Sequence, residues 1–196
     1  CLNYRADEVS LVLIDYKGTG LKETLSYRGE MLKHISLCLT NLNQNEFKRA
    51  LRAFKVELER RESLFEKMAK LTNTSIVNID DYNMQDCDYY GLTRLTHYFI
   101  VIDEFAELKS DKPSFMQEII TIARIGRSLG FHLILITQKV TTIVDEEIKA
   151  NIATNICLKV NSISDSREML NSDLAYKIKC PGEYYLYSNN SLDHGY

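Results

Sequence analysis

Proline and glycine are scarce in these 196 residues, with two and eight respectively, too few for a disordered, collagen-like or low-complexity chain. No apolar run approaches the ~18 residues that a membrane-crossing helix requires, and no signal-peptide pattern is visible. The five cysteines (Cys1, Cys38, Cys87, Cys157, Cys180) include no CxxC pair, and the four histidines form no HExxH. That argues against a metal site and for reduced, mostly packed thiols in a cytosolic protein. An excess of positive charge is also lacking. The net charge of −3 and a pI near 5.9 give no electrostatic footprint for nucleic acid.

What is present is 45% apolar and 26% charged, which suits one compact domain, residues 1–196, with a sizeable core. Buried-strand patterns occur at "VSLVLID" (9–15), "HISLCLTNL" (34–42, weaker), residues 98–102, "HLILITQ" (132–138) and "NICLKV" (155–160), with an edge strand at "EYYLYS" (183–188). Between them lie a long helical pattern from Asn43 to about Leu71 and an amphipathic one over 114–129. Strands alternating with helices predict an α/β domain with a mostly parallel sheet.

Three strands end in polar side chains at the same edge: Asp15, the pair Asp103 and Glu104, and Gln138. In open parallel sheets, ligands bind beyond the carboxyl ends of the strands, so the three together suggest a lined site. Two readings stand for the acidic pair. Acids are favoured in the first turn of a helix, and one starts near Phe105. Alternatively the pair serves nucleotide hydrolysis, where a strand-end Asp helps hold Mg²⁺ and an adjacent Glu polarises the attacking water. A polar residue on the neighbouring strand, Gln138, would then sense the γ-phosphate or orient that water, and "ILITQ" favours this second reading. Asp15 fits either a supporting role to metal or water or a turn before "YKGTG". Lys17 lies at the same edge and could reach a nucleotide or an adjacent module.

With "LVLIDYKG" (11–18), "FIVIDEFAELK" (99–109), "IARIGRSLGFHLILITQK" (122–139) and "DSREML" (165–170) in that order, the sequence resembles the FtsK/SpoIIIE family of hexameric motor ATPases, in its type VII secretion (EssC/EccC) branch. The resemblance implies a RecA-like P-loop NTPase core using ATP and Mg²⁺. It makes Asp103 (to Mg²⁺ through water) and Glu104 the Walker B acids and Gln138 the sensor. It further implies a ring, a hexamer, formed with neighbouring ATPase modules and copies of itself, with ATP at the interfaces and secreted proteins as substrates. DNA is not expected as a partner. The module would lie at the cytoplasmic face of the cell membrane, held there by other parts of a longer protein. A DNA pump of the same family and a docking module without turnover are the alternatives.

The family's Walker A loop, GxxxxGK[ST], does not occur in this sequence. It precedes "LIDYKG" in the family, so the expectation is an N-terminally truncated core, inactive alone, with Cys1–Tyr4 ending the helix after that loop. Val140 stands where relatives usually have proline.

Ring ATPases insert an arginine from a neighbour to stabilise transition-state charge. Arg61 falls on the apolar stripe Phe47, Leu51, Phe54, Leu58, Phe65, Met68 and so requires a partner, either a carboxylate or a phosphate across a subunit contact. Arg60 beside it is a further finger candidate; the plainer alternative has Arg61 reaching the surface while Arg60 pairs with a nearby Glu. Arg124 and Arg127 share a helix face, opposite Phe115, Ile119, Ile122 and Leu129, while Gly126 falls on the buried side. They could face a neighbour or a channel, or simply be solvated, and Arg167 has the same standing.

Overall fold

The computed structural model describes residues 3–18, 20–40, 44–138 and 151–196. The expectations for Cys1, Leu2, Lys139 and Val140 therefore fall wholly or partly outside the described residues. Asn3 and Tyr4 form a bend rather than a helix end. The chain divides into two compact units, Cys1–Thr137 and Gln138–Tyr196.

The first unit is built on a four-stranded sheet in the order β4-β1-β5-β6, comprising β4 (Ile35–Thr40), β1 (Val9–Asp15), β5 (His97–Asp103) and β6 (Phe131–Leu135). All neighbouring pairs are parallel. Parallel strands are covered on their faces, so their inner segments read as continuous apolar runs. Val12, Leu13, Ile14, Ile100 and Ile102 are the buried result. A two-stranded antiparallel ribbon, β2 (Ser26–Tyr27) with β3 (Glu30–Met31), follows the four-residue helix α1 (Leu21–Thr24).

Helix α2 (Gln44–Thr72) contains neither Gly nor Pro, and its buried positions Phe47, Ala50, Leu51, Phe54, Leu58, Arg61, Phe65 and Met68 recur every three or four residues. It ends where Asn73 takes a left-handed conformation (φ 52°), a common helix stop. Helix α5 (Pro113–Gly126) opens on proline at its first turn, where the missing N–H is not needed, and packs beside α2. Phe47 meets Phe115 at 4.4 Å between ring centroids, and Phe54 meets Phe131 edge-on at 6.4 Å. Gly126 permits the close approach: a Cβ there would lie 2.8 Å from Leu58 Cδ2 and 2.9 Å from Phe131 Cβ. Helix α3 (Ile79–Asn83) begins with a capping box between Asn78 and Asp81. Its Tyr82 stacks on Phe65 at 5.5 Å.

The second unit carries a separate three-stranded antiparallel sheet, in the order β7-β8-β9. These strands are Thr154–Cys157, Tyr184–Ser188 and Ser191–Gly195. Helix α6 (Ile163–Leu170) is capped by Ser162, whose hydroxyl accepts from Asp165 N–H at 3.0 Å. Cys157, Leu170, Ala175 and Ile178 form the buried cluster. Two expectations change here. The strands predicted at 155–160 and 183–188 pair antiparallel with each other instead of joining the parallel sheet. Moreover, 183–188 is the middle strand, not an edge. Asn189 and Asn190 both adopt positive φ (51° and 60°), the geometry of a tight hairpin, and so fold Ser191–Gly195 back as a third strand.

Candidate functional site at the carboxyl ends of the strands

β1 and β5 run in register, with Asp15 opposite Asp103, so both acids leave the sheet at the same edge. The β5–β6 pairing continues past the last regular strand residue. Ile136 N–H donates to Ile102 O at 2.9 Å, and Phe105 N–H donates to Ile136 O at 3.0 Å. Those two bonds enclose the Asp103–Glu104 corner.

Glu104 occupies that corner in a left-handed conformation (φ 52°, ψ 49°) and is 6% exposed. A non-glycine residue held there costs roughly 1–3 kcal/mol, which the surrounding structure must offset. Glu104 precedes helix α4 (Phe105–Asp111), but its side chain makes no capping bond. Instead its Oε1 accepts from the Thr137 hydroxyl at 3.0 Å. The Glu104 carboxylate is thus held by a residue two positions past the end of β6 and not by a capping bond to its own helix.

Asp15 is almost fully buried (1% exposed) and accepts from Leu21 N–H at 3.2 Å. It therefore ties the end of β1 to the start of α1. The residues just after β1 reach α4 twice. Tyr16 donates to Asp111 Oδ2 at 2.5 Å, and Lys17 Nζ pairs with Glu107 Oε1 at 2.8 Å. The bond to Asp111, reinforced by partial burial and by the charges of Asp111 and Glu107, pushes the Tyr16 phenol up to about 12. The Lys17 ammonium is raised too, first by its bond to Glu107; burial opposes the rise, and the charges of Glu107, Glu104 and Asp103 add to it. Gln138 is exposed and opens the second compact unit directly after Thr137 in the chain.

The arginines separate sharply. Arg60 lies on the surface and pairs with Glu57 at 2.7 Å. Arg61 is 1% exposed, and its guanidinium donates to Glu57 Oε1 (2.8 Å), Leu129 O (2.5 Å) and Thr96 O (2.7 Å). It also sits over the Tyr98 and Phe131 rings, 4.6 and 5.0 Å from their centroids. Of the partners the sequence allowed, the carboxylate is the one present, and Arg61 does not reach the surface. Burial raises the Glu57 carboxyl, but the two guanidiniums outweigh it and hold the group below its ordinary range. Gly130, at φ +86°, leaves room for this cluster, since a Cβ there would come within 3.1 Å of Arg61 Nη1. Arg124, Arg127 and Arg167 are exposed.

Sequence reasoning passed over Thr137, Glu107 and Asp111. The last two lie four apart on α4 and were legible as one helix face. Thr137 carries no signal beyond its place before Gln138.

A model of the FtsK/SpoIIIE family matches residues 1–142. The chain belongs to the FtsK/SpoIIIE family. Within it, the chain is 40% identical over 190 residues to the type VII secretion system protein EssC of Staphylococcus aureus, covering 97% of this chain and 12% of that protein. It thus spans about an eighth of that relative's length. Among solved structures, the cytoplasmic domain of the Thermomonospora curvata type VII secretion ATPase EccC superposes with a TM-score of 0.78 at 30% identity, over 97% of this chain and 22% of that one. ATPases 2 and 3 of T. curvata EccC, solved in complex with a signal sequence peptide, share the fold, with a TM-score of 0.72 at 19% identity over 97% of this chain and 32% of that one. The parallel sheet is thus the RecA-like sheet of this family's ATPases.

An FtsK/SpoIIIE site implies ATP and Mg²⁺, and the residues present meet half of that need. Asp103 and Glu104 put hard oxygen donors at the sheet edge, suited to Mg²⁺. Among the described residues no group of three or more His, Cys, Asp or Glu could hold a metal alone. The phosphate half is not met, since GxxxxGK[ST] occurs nowhere in the sequence.

Proposed function

We propose that this chain is part of an ATP-hydrolysing motor module of a type VII secretion system, coupling nucleotide turnover to protein export. The observation that carries the reading is Glu104: buried, strained, next to Asp103, and turned toward β6 instead of capping its own helix. Mg²⁺, when bound, would neutralise the phosphate oxygens, and Asp103 is the residue that would hold it. Glu104 accepts the proton of the attacking water as general base. Gln138 senses the γ-phosphate, and Asp15 and Lys17 shape the nucleotide-facing loop. With a Walker A loop absent from its sequence, the 196-residue chain alone does not turn over ATP; the full-length protein does.

The partners proposed are neighbouring ATPase modules and further copies in a hexameric ring, together with exported proteins. The T. curvata complex with a signal sequence peptide supports the last of these by analogy. The full-length protein would work at the cytoplasmic face of the membrane, anchored by segments other than this one. Among the described residues no helix is long and apolar enough to cross a membrane. For the arginine finger, the exposed Arg124 and Arg127 are the candidates we favour, because Arg60 and Arg61 are engaged by Glu57.

The test is Mg-ATP hydrolysis by the full-length protein, with and without duplex DNA, against Glu104→Gln. Slow turnover that the variant abolishes and DNA leaves unchanged is expected. Stimulation several-fold by DNA would favour a DNA pump, whereas no turnover at all would leave a docking module.

A further inference from the structure

We infer that Thr137 is a positioning residue for Glu104: its hydroxyl sets which carboxylate oxygen of the proposed base faces the reacting water. The inference rests on the ATPase reading above. A glutamate's last torsion is soft, so a fixed backbone does not by itself orient the carboxylate. The bond from Thr137 Oγ1 to Oε1 at 3.0 Å removes that freedom. On this inference, with Oε1 so engaged, Oε2 is the oxygen that takes the proton of the water. Charge-assisted bonds of this kind are among the stronger ones.

The donor is held as firmly as the acceptor. Ile136, immediately before Thr137, accepts from Phe105 N–H and donates to Ile102 O, so backbone on both sides of Glu104 is bonded to the residue that carries Thr137. Threonine is branched at Cβ, which restricts χ1 and keeps the hydroxyl in place. Glu104 depends on this support more than an ordinary strand-end acid would, because its left-handed backbone persists only where neighbours hold it. Thr137 is also bonded in sequence to Gln138, the proposed γ-phosphate sensor.

Two substitutions separate the hydroxyl from the side chain's shape. Thr137→Val keeps the branched outline and removes the donor, while Thr137→Ser keeps the donor. In the full-length protein, Thr137→Val is expected to lower kcat about tenfold with KM for Mg-ATP within about twofold, the pattern of an interaction that acts on the chemical step. Thr137→Ser should recover to within about threefold of the parent.

A readout independent of turnover is thermal unfolding of the nucleotide-free protein in a cycle of Thr137→Val, Glu104→Ala and the double variant. The double variant should shift the midpoint by less than the sum of the single shifts. Additive shifts would overturn the bond itself. An unchanged kcat in Thr137→Val, where Glu104→Gln is inactive, overturns the positioning role alone, as does a Ser variant no better than Val. A rise in kcat would mean that the bond restrains the base and overturns the inference too. Turnover surviving in Glu104→Gln, or absent from the parent, overturns the ATPase reading and the inference with it.

Discussion

Arg61 is a charged residue built into the core, and its partners say what it does there. One guanidinium gathers Glu57 from its own helix, the Leu129 carbonyl before β6 and the Thr96 carbonyl before β5. It thereby fastens α2 to the amino ends of two adjacent strands. Removing one partner of such a buried set is strongly unfavourable, because the acceptors stay behind without their donor. Arg61→Leu should therefore destabilise the fold by about 3 kcal/mol, read as a lower urea midpoint. Arg124→Ala and Arg127→Ala, on an exposed face, should stay within about 0.5 kcal/mol of the parent. A stable Arg61→Leu protein that had lost only turnover would return Arg61 to the role of finger. The sequence showed that Arg61 interrupts an apolar stripe and so requires a partner. It could not show the two carbonyls, because which backbone oxygens face a helix is decided only when the sheet packs against it.

At the scale of elements, β5 and β6 carry the candidate site at one end and a pair of imidazoles at the other. His97 Nδ1 lies 3.1 Å from His132 Nε2, and His132 stacks on Phe99 at 4.7 Å. Burial first, then the neighbouring His97 and Arg127 charges, hold His132 below its ordinary value of 6.5, against a weaker pull from Asp80. The folded protein thus binds fewer protons here than the unfolded chain does. His132 contributes stability that is fully present above about pH 6.5 and is lost as the pH falls toward its lowered folded value. Chemical denaturation at pH 7.5 and 5.5 should show the loss, and His132→Phe, which keeps the stacking ring, should reduce it. An equal loss in the variant would assign the effect to other groups.

The same strands show what periodicity could reveal. β1, β4, β5 and α2 lie within a residue or two of their predicted bounds, since apolar runs and a three-four stripe are local signals. Gly126 was legible for the same reason, its place on the buried helix side following from spacing alone. β9 was not, because "SLDHG" has one apolar side chain and its pairing depends on the backbone signs of Asn189 and Asn190. The Thr137–Glu104 bond was equally hidden, because it joins residues 33 apart whose register the β5–β6 ladder sets.

For the whole molecule, the question is where the phosphates of a nucleotide would be held. The sheet edge concentrates negative charge in Asp15, Asp103 and Glu104, and Lys17 is already paired with Glu107. Among the described residues, an ATP molecule brought to that edge meets these carboxyl groups, and no Walker A sequence supplies a ring of backbone N–H groups to compensate. On the proposed reading, binding requires a Walker A loop that this sequence does not contain, and ligand linkage can test that. At a nucleotide concentration about 100 times Kd, binding stabilises a fold by ~2.7 kcal/mol, a shift of about 5–10 °C for a domain of this size. The 196-residue chain in millimolar Mg-ATP should move by less than about 1 °C, while the full-length protein should move by several degrees. A shift of several degrees in the chain alone would mean that its own loops cradle the phosphates. The acids at the strand ends would then be working beside an anion site that the sequence does not advertise.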